Sequence, residues 1–188
     1  MKIILASGSP RRRELLAMAG FSFDVIPADV DETADPALSP GQLVAHLAEK
    51  KALHIRDMNQ GQDAVVIGAD TVVAIDGLIL GKPKDEADAF DMLSRLQGRP
   101  HTVFTGVTAA SCKTDKIQTF VESTKVFMRA LADDEIRAYM ATGEPFDKAG
   151  AYGIQEKGAV LIARVEGDYF TVVGLPLCRL NLTLREFF

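Results

Sequence analysis

The sequence has little cysteine and no long hydrophobic run. Its two cysteines, Cys112 and Cys178, lie far apart and form no Cys-x-x-Cys motif, so neither a zinc site nor a disulfide framework is indicated. The apolar runs at residues 65–67 and 72–75 are far shorter than the roughly 20 residues of a membrane span. The charges near the N-terminus follow a short apolar stretch instead of preceding it, which is the reverse of a secretion signal. We therefore expect a cytoplasmic protein with no membrane segment.

Positive charge is also scarce. The 21 lysines and arginines are outnumbered by 26 acidic residues, which gives a formal net charge of −5. Binding to polymeric nucleic acid needs an extended basic surface, so this class of partner is excluded. A small phosphorylated ligand needs only a local basic pocket and remains compatible with the composition. The length of 188 residues predicts one domain, residues 1–188, with two lobes and a cleft between them.

Several motifs of phosphate and acyl chemistry are missing. The P-loop pattern and the dinucleotide pattern G-x-G-x-x-G are absent, so standard kinase and dinucleotide-binding functions lose their best support. Without a G-x-S-x-G elbow, Ser7 and Ser9 are poor nucleophile candidates. Of the three histidines, His46 and His54 are expected on one exposed helix. Serine hydrolase chemistry is therefore disfavoured.

The first pronounced feature is a cluster of three arginines at the start of a predicted helix. Ser9 is suited to the N-cap and Pro10 to the first helical position, which places residues 11–13 in the first turn. Cations are disfavoured there because the helix dipole is positive at its N-terminus. Either the arginines point into water or an anion compensates them. Three together, after a strand and a loop of small residues, favour an anion site.

The order of elements predicts a mixed α/β fold with an elongated, twisted, mixed sheet flanked by helices. Ser39 and Gln42 have the spacing of a capping box, and Asp76-Gly77 predicts a hairpin turn. Strands are expected at residues 3–6, 21–26, 64–68, 72–75, 78–80, 101–110, 117–128, 159–165 and 169–173, the last two as a hairpin. Helices are expected at residues 12–19, 40–57, 85–96 and 132–142, with a terminal helix after Pro176.

Asp70 is the strongest candidate for chemistry. It follows a buried apolar run and is preceded by Gly68 and Ala69, whose small size would let a ligand approach. A carboxylate at the end of an interior strand is costly unless it is paired, hydrogen-bonded or bound to a metal. Asp70 is therefore either a general base or a structural cap of a turn. Lys82 follows the predicted hairpin that Asp70 precedes and is expected to return to the same region.

Three further candidates have weaker support from the residues alone. Glu32 lies in an acidic loop whose oxygens suit a hard cation, although a solvated loop explains the same residues. Residues 147–155 combine small residues with Lys148 and Gln155, which can supply specific contacts where glycines let a ligand approach.

Taken in order, six stretches resemble the Maf family of nucleoside triphosphate pyrophosphatases. Between residues 3 and 177 they are ASGSPRR, EKKA, GADT, GKP, GEPFDKAGAYGIQ and VGLPL. The resemblance implies a fold like that of inosine triphosphate pyrophosphatases. It also implies hydrolysis between the α and β phosphates of a nucleoside triphosphate, with a divalent cation, Mg²⁺ or Mn²⁺, as cofactor.

The resemblance also assigns roles to residues. Asp70 corresponds to the proposed proton acceptor. For the implied cation, the candidate ligands are Asp70 and, from the acidic loop, Glu32. By this resemblance, the phosphate contacts fall on Arg11, Arg12 and Lys82. Ser7, Ser9 and Lys51 are further candidate phosphate-binding residues. The extra lysine of EKKA leaves open whether Lys50 or Lys51 is the functional lysine, although alignment to the family's E-K-A favours Lys51. Lys148 is a further candidate in the predicted cleft.

Three positions separate the branches of the family, and they are Arg11, Thr71 and Gln155 here. This combination is similar to the branch that hydrolyses dTTP and UTP, and CTP or modified pyrimidine nucleotides stay open as substrates. The implied role is removal of surplus or modified nucleotides, or arrest of cell division. The alternative is a regulator of septum formation that binds nucleotide without turnover. A homodimer also stays open.

Overall fold

The computed structural model describes residues 1–33 and 35–188. Its strands are β1 (Lys2–Leu5), β2 (Phe23–Val25), β3 (Ala64–Ile75), β4 (Leu78–Leu80), β5 (Pro100–Ser111), β6 (Ile117–Met128) and β7 (Ile162–Glu166). Its α-helices are α1 (Pro10–Met18), α2 (Pro40–Asp57), α3 (Glu86–Leu96), α4 (Asp133–Met140), α5 (Tyr169–Val173) and α6 (Leu177–Arg185). Short 3₁₀ helices occur at Glu144–Asp147, Ala149–Ala151 and Glu156–Leu161.

Within these described ranges, seven strands form one mixed sheet. The order is β2-β1-β3-β5-β6-β7, and β4 pairs with β3 outside this path. Strand β1 is parallel to both β2 and β3, so Leu5 lies opposite Val25 on one side and Ile67 on the other. The pairs β3–β4 and β6–β7 are antiparallel. Parallel and antiparallel pairs in one sheet confirm the predicted mixed α/β class.

The predicted helix starts are confirmed. Ser9 is the N-cap of α1, with its hydroxyl accepting from the Arg12 N–H, and Pro10 opens the helix. Ser39 and Gln42 form the capping box of α2. At the other end of α1, the Phe21 N–H donates to the Leu16 carbonyl, so residue 21 still belongs to the helix terminus. Strand β2 therefore begins at residue 23 and not at residue 21.

The strand that carries Asp70 is longer than predicted. We expected a strand at residues 64–68 that ends before Asp70, and a separate one at 72–75. The structure has one strand, β3, from Ala64 to Ile75, with Asp70 inside it and buried. A charge was expected to end an apolar strand, but Lys51 pairs with this carboxylate and the strand continues.

The predicted hairpin of residues 159–165 with 169–173 is wrong. Residues 162–166 form β7, which pairs with β6, whereas Tyr169–Val173 is the short helix α5. The Asp168 carboxylate accepts hydrogen bonds from the N–H groups of Phe170 and Thr171 and from the Thr171 hydroxyl. This capping interaction outweighs the strand preference of the aromatic and β-branched residues that follow.

The chain divides into two compact units. The first contains residues 1–70, 105–122 and 174–188, and the second contains residues 71–104 and 123–173. A hydrophobic core in the first unit includes Ile4, Ala52, Ile55, Val66 and Ala110. In the second unit a larger core gathers residues of α3 and α4 with those of the neighbouring strands. Among the described residues, no helix is both long and apolar enough to cross a membrane.

Candidate active site

Helix α2 places Lys51 on its buried face. The buried residues of this helix recur at helical spacing and are Val44, Leu47, Ala48, Lys51, Ala52 and Ile55. Lys51 is only 8% exposed, although it is a lysine on an otherwise apolar stripe. The periodicity that predicts the helix also predicts this position, so the sequence already held a signal that distinguishes Lys51 from Lys50.

The Lys51 ammonium group bridges two carboxylates of the first unit. Its Nζ atom lies 2.7 Å from Oδ1 of Asp70 and 2.8 Å from Oε1 of Glu32. The side chains of Lys51 and Asp70 are 10% and 13% exposed, whereas that of Glu32 is 60% exposed. Lys50 differs, because its ammonium group donates to the backbone carbonyl of Asp31 at the surface. The structure thus brings Glu32, Lys51 and Asp70 together and leaves Lys50 outside this contact.

Two glycines let α2 approach the sheet closely enough for this contact. A methyl group at Gly68 would lie 2.3 Å from the Ala48 carbonyl oxygen and 2.7 Å from the Ala52 nitrogen. One at Gly106 would lie 2.4 Å from the Val44 carbonyl oxygen. None of these three distances is tolerated by a real side chain, so both strands need glycine where the helix backbone passes over them. Gly68 precedes Asp70 by two residues on β3, so both residues lie on the same face of the sheet.

The arginine-rich turn of α1 also belongs to the first unit. The Nε atom of Arg12 donates to the Gly174 carbonyl at 2.9 Å, and Nη1 donates to the Ala69 carbonyl at 2.9 Å. Nη1 also donates to the Ser7 hydroxyl at 3.2 Å, and Ser7 is buried. Arg12 therefore connects three backbone segments, one of which is the residue before Asp70. The contact with Gly174 has no signal in the sequence, because 162 positions separate the two residues.

The electrostatics of this region combine both signs of charge. Burial lowers the pKa of the Arg12 guanidinium, and the negative charge of Asp70 opposes that shift. The positive charge of Arg11 lowers the pKa of Arg12 further, and the negative charge of Glu32 raises it. These effects place two arginines and two carboxylates within electrostatic range of one another. With Lys51, the cluster offers three cations for an anionic ligand and two carboxylates for a proton or a metal ion.

The cluster does not contain a preformed metal cage. Among the residues that the structure describes, no group of three or more histidine, cysteine, aspartate or glutamate side chains could hold a metal ion. Mg²⁺ is commonly bound by one or two carboxylates, with waters and substrate phosphates completing its octahedral shell. Asp70 and Glu32, which both contact Lys51, are two carboxylates and so match this mode of Mg²⁺ binding. The donor set is therefore suited to a metal that arrives with a phosphate ligand.

The remaining predicted site residues lie in the second unit. Thr71 follows Asp70 directly on β3 and is half-buried, whereas Lys82 is exposed after β4. Gly81, which precedes Lys82, accepts a hydrogen bond from the Gly150 N–H at 3.0 Å. The loop of Lys82 and the segment of residues 147–155 are thereby connected.

Two residues of that segment differ in their surroundings. The Lys148 ammonium group lies 2.8 Å from both the Glu144 carbonyl oxygen and the Asp147 carboxylate. Gln155 is half-buried and has an extended backbone with φ −93° and ψ 171°. Lys148 therefore holds its own segment together, while Gln155 lies in a bend between two 3₁₀ helices.

Comparison with known proteins identifies the family. A family model described as Maf-like protein matches residues 2–187. The chain belongs to this family. A dTTP/UTP pyrophosphatase of Acetivibrio thermocellus is 51% identical over 192 residues, which cover 100% of this chain and 96% of the relative. One of Dictyoglomus turgidum is 50% identical over 187 residues, which cover 99% and 96% of the two chains.

Solved structures give a more distant similarity. The Staphylococcus aureus Ham1 protein is 17% identical, with a TM-score of 0.47, and the match covers 86% of this chain and 80% of that chain. A dITP/XTP pyrophosphatase of Mycobacterium abscessus is 12% identical, with a TM-score of 0.43 and coverage of 98% and 94%.

Proposed function

We propose that this Maf-like protein hydrolyses dTTP and UTP to the monophosphate and pyrophosphate. The observation that carries the proposal is the buried contact of Lys51 with Asp70, next to the arginine-rich turn. A general base needs a carboxylate that is held in place within reach of water and phosphate. Full-length relatives that are about half identical to this chain are named dTTP/UTP pyrophosphatases. The family and the local chemistry thus favour the same reaction.

In this mechanism Asp70 accepts the proton of the attacking water. Lys51 binds Oδ1 of Asp70, so the carboxylate is fixed in orientation and Oδ2 is the oxygen that takes the proton. The water oxygen bonds to the α-phosphorus while the bond from that phosphorus to the oxygen bridging the α and β phosphates breaks. Pyrophosphate leaves with the bridging oxygen and the electron pair of the broken bond. General-base catalysis of this kind contributes roughly 10² to 10⁴-fold to the rate.

The cations stabilise the charge of the triphosphate. Arg11, Lys51 and Lys82 are proposed to contact phosphate oxygens through charge-assisted hydrogen bonds. Arg12 is proposed to bind phosphate and also to hold the backbone, because its Nε and Nη1 atoms donate to the backbone carbonyls of Gly174 and Ala69. It therefore holds the backbone next to Asp70 as well as adding positive charge. Ser7 and Ser9 shape the loop before α1 through their hydrogen bonds to Arg12.

A divalent cation is proposed as the cofactor. Glu32 and Asp70 would hold it, with phosphate oxygens of the substrate as further ligands. When bound, Mg²⁺ or Mn²⁺ neutralises charge on the phosphates and acts as a Lewis acid. Because both carboxylates contact Lys51, this lysine keeps them together before the nucleotide arrives.

Base choice is assigned to Arg11, Thr71 and Gln155. Uracil and thymine present a carbonyl acceptor beside the N3–H donor, and the glutamine amide has one donor and one acceptor to match them. Guanine offers a similar pair at O6 and N1–H but adds the exocyclic amine, a second donor that one glutamine amide leaves unpaired. A buried polar group left unpaired costs about 1 to 3 kcal/mol, so a mismatched base is rejected.

The deciding experiment incubates the protein with UTP, dTTP, CTP and GTP in the presence of Mg²⁺ or Mn²⁺ and identifies the products. We expect UMP and dTMP with pyrophosphate, and not diphosphates with inorganic phosphate. Asp70→Asn should abolish turnover while UTP binding survives, because the amide keeps the shape but does not accept the proton.

Asp91→Asn is the matched control, since Asp91 forms an exposed ion pair with Arg95 on α3. It should keep normal turnover. Binding of UTP without any pyrophosphate release by the unaltered protein would contradict the enzyme and favour the nucleotide-binding regulator. Near-normal turnover by Asp70→Asn would remove Asp70 from the role of base.

A further inference from the structure

We propose that Tyr139 and Glu144 are positioning residues for base selection, because they fix the backbone on both sides of Gln155. This inference rests on the proposed function, in which the Gln155 amide reads the base. Neither residue is assigned to phosphate or metal chemistry above. Both belong to the second unit, as does Gln155.

Glu144 collects hydrogen bonds from the chain that follows Gln155. Its Oε1 atom accepts from the Gly158 N–H at 3.1 Å, and its Oε2 atom accepts from the Lys157 N–H at 3.1 Å. Hydrogen bonds to a charged acceptor are stronger than those between neutral groups. Both carboxylate oxygens are thus used to hold the turn that begins one residue after Gln155.

Tyr139 connects this carboxylate to the chain that precedes Gln155. Its hydroxyl accepts from the Gly153 N–H at 3.1 Å and donates to Oε1 of Glu144 at 2.9 Å. Tyr139 is 6% exposed, and burial raises the pKa of its hydroxyl above the ordinary value, so the group stays protonated and can donate. One tyrosine–glutamate pair therefore binds the backbone two residues before and two residues after Gln155.

The backbone between these attachments is tightly packed and strained. A methyl group at Gly158 would lie 2.0 Å from the Gly153 carbonyl oxygen and 2.8 Å from the Tyr139 hydroxyl. Glu156, which follows Gln155, has a positive φ of 56°, a conformation that costs energy for a residue other than glycine. Such a conformation persists only where surrounding contacts impose it. The hydrogen bonds to Glu144 immediately after it supply those contacts.

Selection of a base by the Gln155 amide requires that the backbone of Gln155 is held in one position. The oxygen and nitrogen of Gln155 match uracil only when the side chain starts from a defined backbone position. If the bend could move, the amide would adapt to other donor and acceptor patterns, and discrimination would fall before catalysis does. Tyr139 and Glu144 should therefore act on the ratio of kcat/KM values between bases.

A double-mutant cycle tests the proposal in the full-length protein. The variants are Tyr139→Phe, Gln155→Ala and the combination of both, with Glu144→Gln as a second way to break the same network. The readout is the ratio of kcat/KM for UTP to that for GTP, measured with both nucleotides in competition. Tyr152→Phe is the matched control, because its buried hydroxyl bonds His101 on β5 and not the backbone around Gln155. Thermal unfolding of every variant reports the structural cost.

We expect Tyr139→Phe to lower the UTP to GTP ratio roughly fivefold, the equivalent of one hydrogen bond. Gln155→Ala should lower the ratio further, and the double variant should match Gln155→Ala alone. Tyr152→Phe should lose stability and keep the ratio. An unchanged ratio in Tyr139→Phe and Glu144→Gln, independent effects in the double variant, or an equal shift in Tyr152→Phe overturns the positioning role. An unchanged ratio in Gln155→Ala overturns base reading by Gln155 itself and the positioning role with it.

Discussion

Lys51 is a cation on the apolar face of a helix, and its two carboxylate partners make that position tenable. A buried ammonium group without a partner would cost several kcal/mol, which is why lysines are rarely found in cores. Here Asp70 and Glu32 both lie within 2.8 Å of the Lys51 Nζ atom. The same argument applies to Asp70, whose buried carboxylate depends on Lys51. The ion pair therefore accounts for the burial of both Lys51 and Asp70.

Removal of Lys51 should damage both stability and turnover. Lys51→Ala leaves the buried Asp70 carboxylate without its ion pair, so we expect a loss of about 3 kcal/mol in the free energy of unfolding. Turnover of UTP should fall at least a hundredfold, because Asp70 loses its orientation. Urea unfolding and steady-state kinetics measure the two effects. Lys50→Ala is the matched control, since Lys50 contacts only a surface carbonyl, and equal effects of both variants would contradict the assignment.

His101 should make the protein sensitive to acid. Its ring is 3% exposed and bonded to the Tyr152 hydroxyl through Nε2, and burial lowers its pKa to about 4 from the ordinary value of 6.5. As the pH falls below 6.5, His101 becomes protonated in the unfolded chain but stays neutral in the folded chain until the pH approaches 4. The contribution of His101 to stability is therefore complete above pH 6.5 and is lost progressively towards pH 4, by up to about 3 kcal/mol.

Urea unfolding at several pH values between 7.5 and 4 measures this loss. His101→Gln carries no titrating group, so its free energy of unfolding should fall less over the same interval. Parallel curves for the two proteins would show that other groups cause the acid sensitivity.

At the scale of elements, the position of α2 against the sheet decides whether the candidate site forms. The helix backbone passes so close to β3 and β5 that only glycine fits at positions 68 and 106. Gly68 was expected, with Ala69, to let a ligand approach, but in the structure Gly68 lets the helix backbone approach. The consequence is that Lys51 reaches Asp70 from the helix above.

Gly68→Ala should push α2 away from β3. The added methyl group would meet backbone atoms of residues 48 and 52 that cannot rotate aside, so we expect a loss of about 1 to 3 kcal/mol in the free energy of unfolding. UTP turnover should fall with it, because Lys51 moves away from Asp70. Gly41→Ala on the same helix is the control, since its methyl group would meet only Val121 at 3.8 Å. It should leave turnover intact and raise stability slightly. A fully active Gly68→Ala protein would contradict this account of the helix position.

For the molecule as a whole, the two cysteines are natural reporters of unfolding. Cys112 is 5% exposed, and burial raises the pKa of its thiol, whereas Cys178 is exposed on α6. A thiol reagent at pH 8 should modify one cysteine of the native protein rapidly and the second only in denaturant. Cys178→Ser should remove the rapid phase. Two rapid equivalents in native buffer would show that the strand end at Cys112 opens readily.

Local sequence determined the helix caps, most strand positions and the family. Ser9, Ser39 and the Asp76-Gly77 turn act over a few residues, so their effects can be predicted without the fold. The helical periodicity of α2 also contains a signal for the buried position of Lys51, but our prediction of Lys51 came from the resemblance to the family and not from that periodicity. Local sequence failed at Asp70 and at residues 169–173, where a partner or a cap outweighed the intrinsic preference of the residues.

Only the tertiary structure decided what those side chains meet. Lys51 and Asp70 are 19 positions apart, and Arg12 and Gly174 are 162 apart. No local preference encodes such contacts, because they depend on how the sheet orders its strands and on how closely the glycines let α2 approach. The sequence therefore determined which chemical groups are present and which faces they occupy. The packing of helix on sheet determined which charges neutralise one another, since ion pairs form only between groups that the fold brings within a few ångströms.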